Sequence, residues 1–479
     1  MGYFKLGCMY SIMYYQIFLT ATAVGFSGVM LPLMRSPESS IQVNDEEASW
    51  IASLLYMLTP VGNLVFGVIM DKYGRKICME LVYLPLIISY IGMFMAKSIV
   101  HIYISRAIVG LSVGGGSAAM NVYICETSPP TYRAFFLSFP AVLTSVGMLL
   151  CIAMAKMTTW QISSGILAIL NIAGLIILMI FLPESPVWLN QNRRHEEATN
   201  VYKWFGSSPI FVEVKKYSET NGKLRITFRT FLSRSVWIPT LLTFLFFFVQ
   251  TNSGIFIIWS YLTDFTKYLK IPIDPFKMTV LIAICRMITS VVTSFILRNM
   301  KRKILTFISA TGMSISLALV AIYLKLYDIN GVLQDDSTNP LPWLTFICLA
   351  AFTIFSAIGL GYLPWSFCAE VFPPHVNGVM TGIMYSLAYV MLFSGVKIFP
   401  AAVKQFGFLS VLWVFFGFSA FASLFGIFLM PETVNKTKEE ILNNFTKSKR
   451  TKNEYLQQSE MCLRKDNLYS ISEEIIIKN

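Results

Sequence analysis

The chain has 479 residues, of which 55% are hydrophobic and only 13% charged, with 38 lysines and arginines against 26 carboxylates for a net charge of +12. A water-soluble domain carries about 25% charged residues, so this chain has too little charge to cover a surface in water and is read as a membrane protein. Its positive charge collects in particular connections between apolar runs, which is a topology signal and not a nucleic-acid signature.

Twelve apolar stretches approach or exceed the roughly 20 residues a helix needs to cross hydrocarbon. Their centres fall near residues 20, 59, 87, 112, 145, 171, 249, 287, 314, 355, 388 and 419. The first, from about Cys8 to Leu33, is too long for a signal-peptide core and reads as a span. The loop after it is acidic, with Glu38, Asp45, Glu46 and Glu47 against Arg35.

Between the second and third spans stands Gly67-Val-Ile-Met-Asp71-Lys-Tyr-Gly74-Arg75-Lys76. Its glycines permit a sharp turn and close approach of helix ends. Asp71 can pair with the arginine or cap a neighbouring helix, and the cations mark that side as cytoplasmic. The fourth span carries Arg106, Gly110 and Gly114, then Glu126, Pro129, Pro130 and Arg133. Pro183-Glu184-Ser185-Pro186 closes the sixth span.

The polar segment that follows is strongly basic: residues 190–235 hold nine Lys/Arg against four Asp/Glu. Ala198, Val201, Trp204 and Phe205 give it a helical apolar side, so short amphipathic helices are expected on the cytoplasmic face. Six more spans come next. Glu370 with Pro373, Pro374 and Gly378, then Pro431-Glu432-Thr433, echo the first half in order and place. The loop near Asp328, Asp335 and Asp336 is acidic and falls outside. An internal repeat of two six-span halves follows. The expected division is an N-terminal bundle at 8–183, linker helices at 184–235, a C-terminal bundle at 236–431 and a cytoplasmic tail at 432–479.

Other chemistries find no support. His101, His195 and His375 are far apart and the eight cysteines are scattered without a CxxC pair, so neither a metal nor a cofactor is expected. No HExxH, Gly-x-Ser-x-Gly or P-loop is present, so an enzyme is not expected. The sequons at Asn435 and Asn444 follow the last span and are expected to stay unglycosylated in the cytoplasm.

The motifs Asp71-Lys-Tyr-Gly-Arg-Lys, Arg106 with Gly110, Glu126 with Arg133, Pro183-Glu-Ser-Pro, Gln250 with Gly254, Pro364-Trp365 with Glu370, and Pro431-Glu-Thr stand in one order over residues 10–445. In this they resemble the sugar porter family of the major facilitator superfamily, and within it most of all the insect facilitated trehalose transporters. The resemblance implies an all-α membrane protein of twelve transmembrane helices in two six-helix bundles that rock about a central site. It implies a single-chain facilitative carrier of a sugar, trehalose or hexose, working as a monomer in the plasma membrane with both termini cytoplasmic. A transporter-like nutrient sensor and a carrier of a non-sugar small solute are the alternatives.

The resemblance also assigns residues. Asp71, Arg75, Arg106, Glu126, Arg133, Glu184, Arg302, Glu370 and Glu432 form the gating set, with Arg75, Arg133 and Arg302 expected to face the glutamates across the bundle interface. Departures are equally informative. The second copy of the basic loop reads Leu297-Arg298-Asn-Met-Lys301-Arg302-Lys303, without the family's Asp and Gly, so the gate is expected to be thinner in the second half. At the sugar site Gln250 and Trp365 are kept. Ala141, Thr251, Phe256 and Ala388 stand where the family has Gln, Gln, Asn and Asn. Ser27 follows Gly25-Phe26 where proton-coupled members carry an Asp, which favours uncoupled transport. Asn63, Asn121, Asn171, Gln161 and Asn252 are further polar candidates, and Arg286 stands near the middle of the eighth span with no partner evident.

Overall fold

The structure, a computed structural model, describes residues 2–34, 39, 41–128, 130–205, 232–262, 265, 269, 274–296, 300–328, 341–373, 376–434, 436, 440–442 and 445. The second half of the linker, the Arg298 position, Pro129, Pro374, His375, the two sequons and the tail beyond Phe445 lie outside the described residues. So does the acidic loop at residues 329–340.

The first half comprises α1 (Gly2–Met34), α2 (Asp45–Tyr73), α3 (Arg75–Phe94), α4 (Ile99–Thr127), α5 (Pro130–Met157) and α6 (Trp160–Phe181). Two short helices follow, α7 (Pro186–Gln191) and α8 (His195–Phe205). The second half comprises α9 (Arg234–Asn252), α10 (Ile255–Ser260), α11 (Pro275–Ile296), α12 (Arg302–Asp328), α13 (Pro342–Ile358), α14 (Leu363–Val371), α15 (Asn377–Phe406) and α16 (Phe408–Phe428). Every predicted centre falls inside one of these helices. Among the described residues, ten stretches are long and apolar enough to cross a membrane. The two remaining predicted spans coincide with α1 and with α11, whose apolar part runs Val280–Ile296.

The termini of the helices follow from local chemistry. Asn44 caps α2: its side-chain oxygen accepts from Glu47 N at 2.8 Å, and the Glu47 carboxylate accepts from Asn44 N at 2.8 Å. This reciprocal box satisfies two donors that the first helical turn would otherwise leave open. Gly74, at φ +113°, makes the turn from α2 into α3 within a single residue. Gly254, at φ +84°, breaks the seventh span into α9 and α10. The tenth span breaks at residues 359–362, between α13 and α14.

Such breaks free backbone groups that no water can reach in a bilayer, so side chains must satisfy them. Gln250 does so at the tenth span, its amide nitrogen donating to Leu360 O at 2.7 Å and Gly361 O at 2.9 Å. The Ser309 hydroxyl accepts from Leu360 N at 2.9 Å.

Small residues set the helix packing. Gly110 and Gly114 of α4 face the backbone of α2 at Leu55 and Thr59, and Gly62 of α2 faces Leu111. The two halves meet along α2 and α15 and along α5 and α11. On the α2–α15 seam a Cβ at Gly382 would stand 2.7 Å from Asn63 O and 3.4 Å from Gly67 Cα. A Cβ at Gly67 would stand 3.2 Å from Gly378 O. Backbones meet here with no side chain between them, the packing mode that membrane helices favour.

The linker helices sit beneath the first half. Trp188, Leu189 and Ala198 form a small buried cluster joined by Val201 and Tyr202, and Trp188 Nε1 donates to Asp71 O at 3.0 Å. The expected apolar face of α8 is therefore used inward at Ala198 and Val201, while Trp204 is exposed.

Gly382→Leu should push α15 off α2 and cost about 1–3 kcal/mol of overpacking. Gly417 has no atom within 4 Å of its virtual Cβ, so Gly417→Leu is the matched control. Melting of purified protein in detergent should drop for the first and stay near wild type for the second. Equal melting of the two would refute the α2–α15 seam.

Candidate functional site

Two kinds of site emerge: a pair of charge clusters at one end of the bundle, and a cavity at its middle. In the first half Arg75 is fully enclosed, with 1% of its surface exposed. Its Nε and Nη2 donate to the two Glu126 carboxylate oxygens at 3.0 and 2.6 Å, and Nη1 donates to Met70 O at 3.0 Å. The Ser185 hydroxyl donates to Glu126 at 2.6 Å. Asp71 adds an ion pair to Arg75 at 3.5 Å. Bidentate, charge-assisted pairs of this kind are the strong ones, in both energy and geometry.

Glu184 plays a different part. Its carboxylate accepts from the backbone N–H groups of Arg75 at 2.9 Å, Lys76 at 3.2 Å and Ser185 at 2.7 Å. It thus closes the N-terminus of α3, where open donors and the helix dipole both favour an anion. Burial nevertheless raises the Glu184 carboxyl above its ordinary pKa, against the hydrogen bonds and the Arg75 charge that pull it down.

The second half repeats the arrangement. Arg302 Nη2 donates to Glu370 at 2.8 Å, and the Thr433 hydroxyl donates to the other Glu370 oxygen at 2.8 Å. Glu432 accepts from the N–H groups of Arg302 at 3.2 Å, Thr433 at 3.1 Å and Val434 at 3.1 Å. The Pro-Glu-Ser/Thr motifs thus supply the same two groups twice: a carboxylate for a helix start and a hydroxyl for the buried glutamate. The second copy is thinner. Arg302 makes one bond to Glu370 where Arg75 makes two to Glu126, and its buried Nε has no hydrogen-bond partner.

These pairs close within each half. The expectation that Arg75 and Arg302 face glutamates across the interface is corrected by their geometry, because each finds its carboxylate on its own side. The group of this set that crosses is Asp71, whose Oδ2 accepts from Val379 N at 3.0 Å at the start of α15. Arg133 donates to Ser128 O at 3.3 Å within its own helix connection. Arg106, buried in α4, donates to Ala23 O at 2.9 Å and Ile51 O at 3.3 Å, tying three helices together well away from the charge clusters.

The cavity holds about 230 Å³ and is lined from both halves by α1, α2, α4, α5, α10, α11, α15 and the break between α13 and α14. Of the six residues assigned to the sugar, Trp365 and Phe256 line it. Gln250, Thr251, Ala141 and Ala388 are buried behind the wall. Gln250 spends its amide nitrogen on the broken tenth span, and the Ala141 carbonyl accepts from the Tyr362 hydroxyl at 3.4 Å. Among the other polar candidates Asn121 reaches the cavity, with its amide nitrogen donating to the Tyr385 hydroxyl at 2.8 Å. Asn171 and Asn252 bond back to their own helices at Leu167 O and Phe248 O.

Tyr56, Phe256, Trp259, Tyr362, Trp365 and Tyr389 bring aromatic rings to the wall. Trp365 packs edge-on against Phe256 and tilts against Tyr389, and Tyr56 of the first half stacks on Tyr389 of the second at 6.4 Å between centroids. Sequence reasoning missed Trp259 and Tyr362, which the breaks at Gly254 and at 359–362 turn inward. Arg286 also faces the cavity, over the Trp259 ring at 3.7 Å from its centroid. An arginine in the middle of an apolar run was the signal available for it.

Residues 10–445 match the family described as "Sugar (and other) transporter". The chain belongs to the sugar (and other) transporter family. A facilitated trehalose transporter of Anopheles gambiae is 24% identical over 443 residues, covering 89% of this chain and 54% of that protein. This chain therefore spans about half the length of that relative. The mouse facilitated glucose transporter member 8 of solute carrier family 2 is 25% identical over 445 residues, covering 88% of this chain and 91% of that one. Among solved structures, the major facilitator superfamily proton:xylose symporter XylE superposes with a TM-score of 0.76 at 19% identity, covering 92% and 98% of the two chains. That likeness fixes the fold as the major facilitator fold.

Because the family's two charge clusters close independently here, Glu126→Gln and Glu370→Gln should each destabilise the protein, since removing one partner of a buried pair costs about 3–5 kcal/mol. Their effects should add to within roughly 0.5 kcal/mol in the double variant. Chemical denaturation in detergent measures this. A large coupling energy would mean that the two clusters communicate across the interface.

Proposed function

We propose that the protein is a facilitative (uniport) carrier of a sugar, trehalose or hexose, that works by alternating access. The observation that carries this reading is the cavity itself. It lies between two halves that each pair a buried arginine, Arg75 or Arg302, with a glutamate of the same half and that touch through contacts weak enough to break.

The cycle follows from those contacts. At the charged end the halves meet through the Asp71 to Val379 bond, the glycine seam and the tilted ring contact of Phe135 with Phe295. Toward the other end they meet through Tyr56 with Tyr389 and Lys397 with Trp50. Opening one end breaks one set and leaves the other. A solute in the cavity would then be exposed to alternate sides as the halves rock. The bundles bounded at 8–183 and 236–431 are the moving units, and α7 and α8 of the linker at 184–235 ride beneath the first.

Transport is uncoupled in this reading. Among the described residues no aspartate or glutamate lines the cavity, and a proton-driven carrier needs a titrating group there. The charged end is assigned to the cytoplasm because Lys72, Lys76, Lys301 and Lys303 gather there, as the Lys/Arg rule requires. Both termini are then cytoplasmic, and the membrane is the plasma membrane. The reading as a carrier of a non-sugar solute keeps a specific observation in its favour: Gln250 is committed to backbone carbonyls, and Ala141, Thr251 and Ala388 are not among the residues lining the cavity.

Counterflow of labelled trehalose and glucose in proteoliposomes tests the activity. Saturable flux of either sugar, unchanged by a proton ionophore, is expected. Saturable flux that the ionophore abolishes would refute the uncoupled cycle.

The gate has its own test in native thiols. Cys125 on α4 and Cys368 on α14 are buried neighbours on opposite halves. Asp71→Ala removes the acceptor of Val379 N and should shift the population toward the state open at the charged end. Maleimide labelling of Cys125 and Cys368, read site by site by mass spectrometry, should quicken several-fold over wild type. Unchanged labelling would remove Asp71 from the gate.

A further inference from the structure

Arg286 is the feature of the cavity that a neutral solute leaves unexplained. It stands near the middle of α11 with 5% of its surface exposed. One terminal nitrogen donates to Met148 Sδ at 3.1 Å and the other to the Tyr362 hydroxyl at 3.1 Å. Its Nε is buried and has no hydrogen-bond partner. Ion pairs among the described residues fall on Asp71, Glu80, Glu126, Glu197 and Glu370, and none of them involves Arg286.

A guanidinium does not give up its proton in a protein, so this charge is permanent. A thioether is a weak acceptor and a phenol a neutral one. The Trp259 face offsets part of the cost of holding a cation away from water. No described carboxylate offsets the remainder, and intramembrane ionisable groups are held at such cost where they meet a solute or a partner.

From this we infer that the cavity takes a monoanionic solute, a small carboxylate with a polyol or planar body, whose carboxylate is held by Arg286. The inference rests on the alternating-access carrier reading and puts an acid in place of a neutral sugar as the preferred solute. A planar guanidinium matches a carboxylate through two parallel N–H···O bonds, and the vacant Nε supplies one of the donors. A phosphate monoester fits less well. It carries a charge of about −1.5 to −2 near neutral pH, and among the described residues no second cation lines the cavity to balance it. The body of the solute lies against Trp365, Phe256 and Tyr389, surfaces suited to a sugar face or an aromatic ring. The Asn121 carbonyl oxygen, buried without a hydrogen-bond partner, is available to a hydroxyl of that body. Uniport of such a solute moves net charge, so its flux would follow the membrane potential.

The test compares acids with their neutral amides on the full-length protein. Glucuronate and benzoate are each paired with glucuronamide and benzamide. Two readouts are used: inhibition of labelled glucose or glucuronate counterflow in proteoliposomes, and the melting temperature in detergent. An acid should act at a concentration lower than its amide by about tenfold or more. Arg286→Gln should erase that preference, and Arg286→Lys should retain part of it. Should neither variant fold, the wild-type acid-to-amide ratio alone decides. Equal potency of acid and amide in wild type, with sugar flux present, overturns the inference and leaves the carrier reading standing. No flux of any solute, with melting raised by an acid and not by its amide, keeps the anion site and removes the carrier reading. No flux and no acid-specific shift overturns both.

Discussion

The rest of this structure depends on how each half neutralises its own buried arginine. Arg75 and Arg302 are among the largest fully buried side chains of the described residues, and removing the carboxylate from a buried pair of this kind costs about 3–5 kcal/mol. Glu126 and Glu370 stand opposite them, on the same half in each case. That choice determines what can move. Had the pairs bridged the halves, every opening at the charged end would have torn apart two buried ion pairs. Because they close inside the halves, no ion pair among the described residues bridges them, and the halves meet through single hydrogen bonds such as Val379 N to Asp71, Asn121 to Tyr385 and Ser386 to Pro60 O, with glycine-to-glycine packing and a few rings. Such contacts are of the size that a solute's differential binding can tip from one side to the other.

The same logic explains why the motif Pro-Glu-Ser/Thr recurs. The glutamate and the hydroxyl that follows it serve two needs that arise together: a helix start whose N–H groups are buried, and a glutamate whose second oxygen needs a donor. Both halves satisfy both needs with adjacent residues. They differ in the density of the network. The first half surrounds Arg75 with Asp71, Glu126 and the Met70 carbonyl. The second leaves Arg302 Nε without a hydrogen-bond partner, which matches the loss of the family's acidic residue in the sequence of the second basic loop.

Much of this was legible in the sequence. The twelve apolar stretches each fall on a helix, because in lipid the apolar run is the helix and no competing conformation satisfies the backbone. The clustering of Arg75 with Glu126 and Glu184, and of Arg302 with Glu370 and Glu432, could be read from the paired motifs. The partner assignment could not, since sequence order places Glu126 and Glu370 equally well on either side of an interface. The cavity was least legible. Gln250 reads as a sugar ligand from its position, but the break at 359–362 claims its amide, and a helix break has no periodicity to announce it. The rotation that the Gly254 kink imposes on α10 decides that Phe256 and Trp259 point inward. Thr251, one residue beyond Gln250 and before the kink, points elsewhere.

The two broken spans and the cavity cation belong to one argument. Breaking a helix inside a membrane exposes donors and acceptors, and the protein answers each with a side chain: Gln250 for the carbonyls of Leu360 and Gly361, Ser309 for the Leu360 N–H. Those side chains are then unavailable to a solute. The breaks in return turn Trp259, Tyr362 and Trp365 onto the cavity, and two of these three hold Arg286, one through its ring face and one through its hydroxyl. A cavity assembled this way trades a lattice of amides for aromatic faces around a single fixed charge. Beside that charge and the rings, the wall keeps Thr20, Ser117, Thr144, Ser260 and Asn121 as its polar side chains.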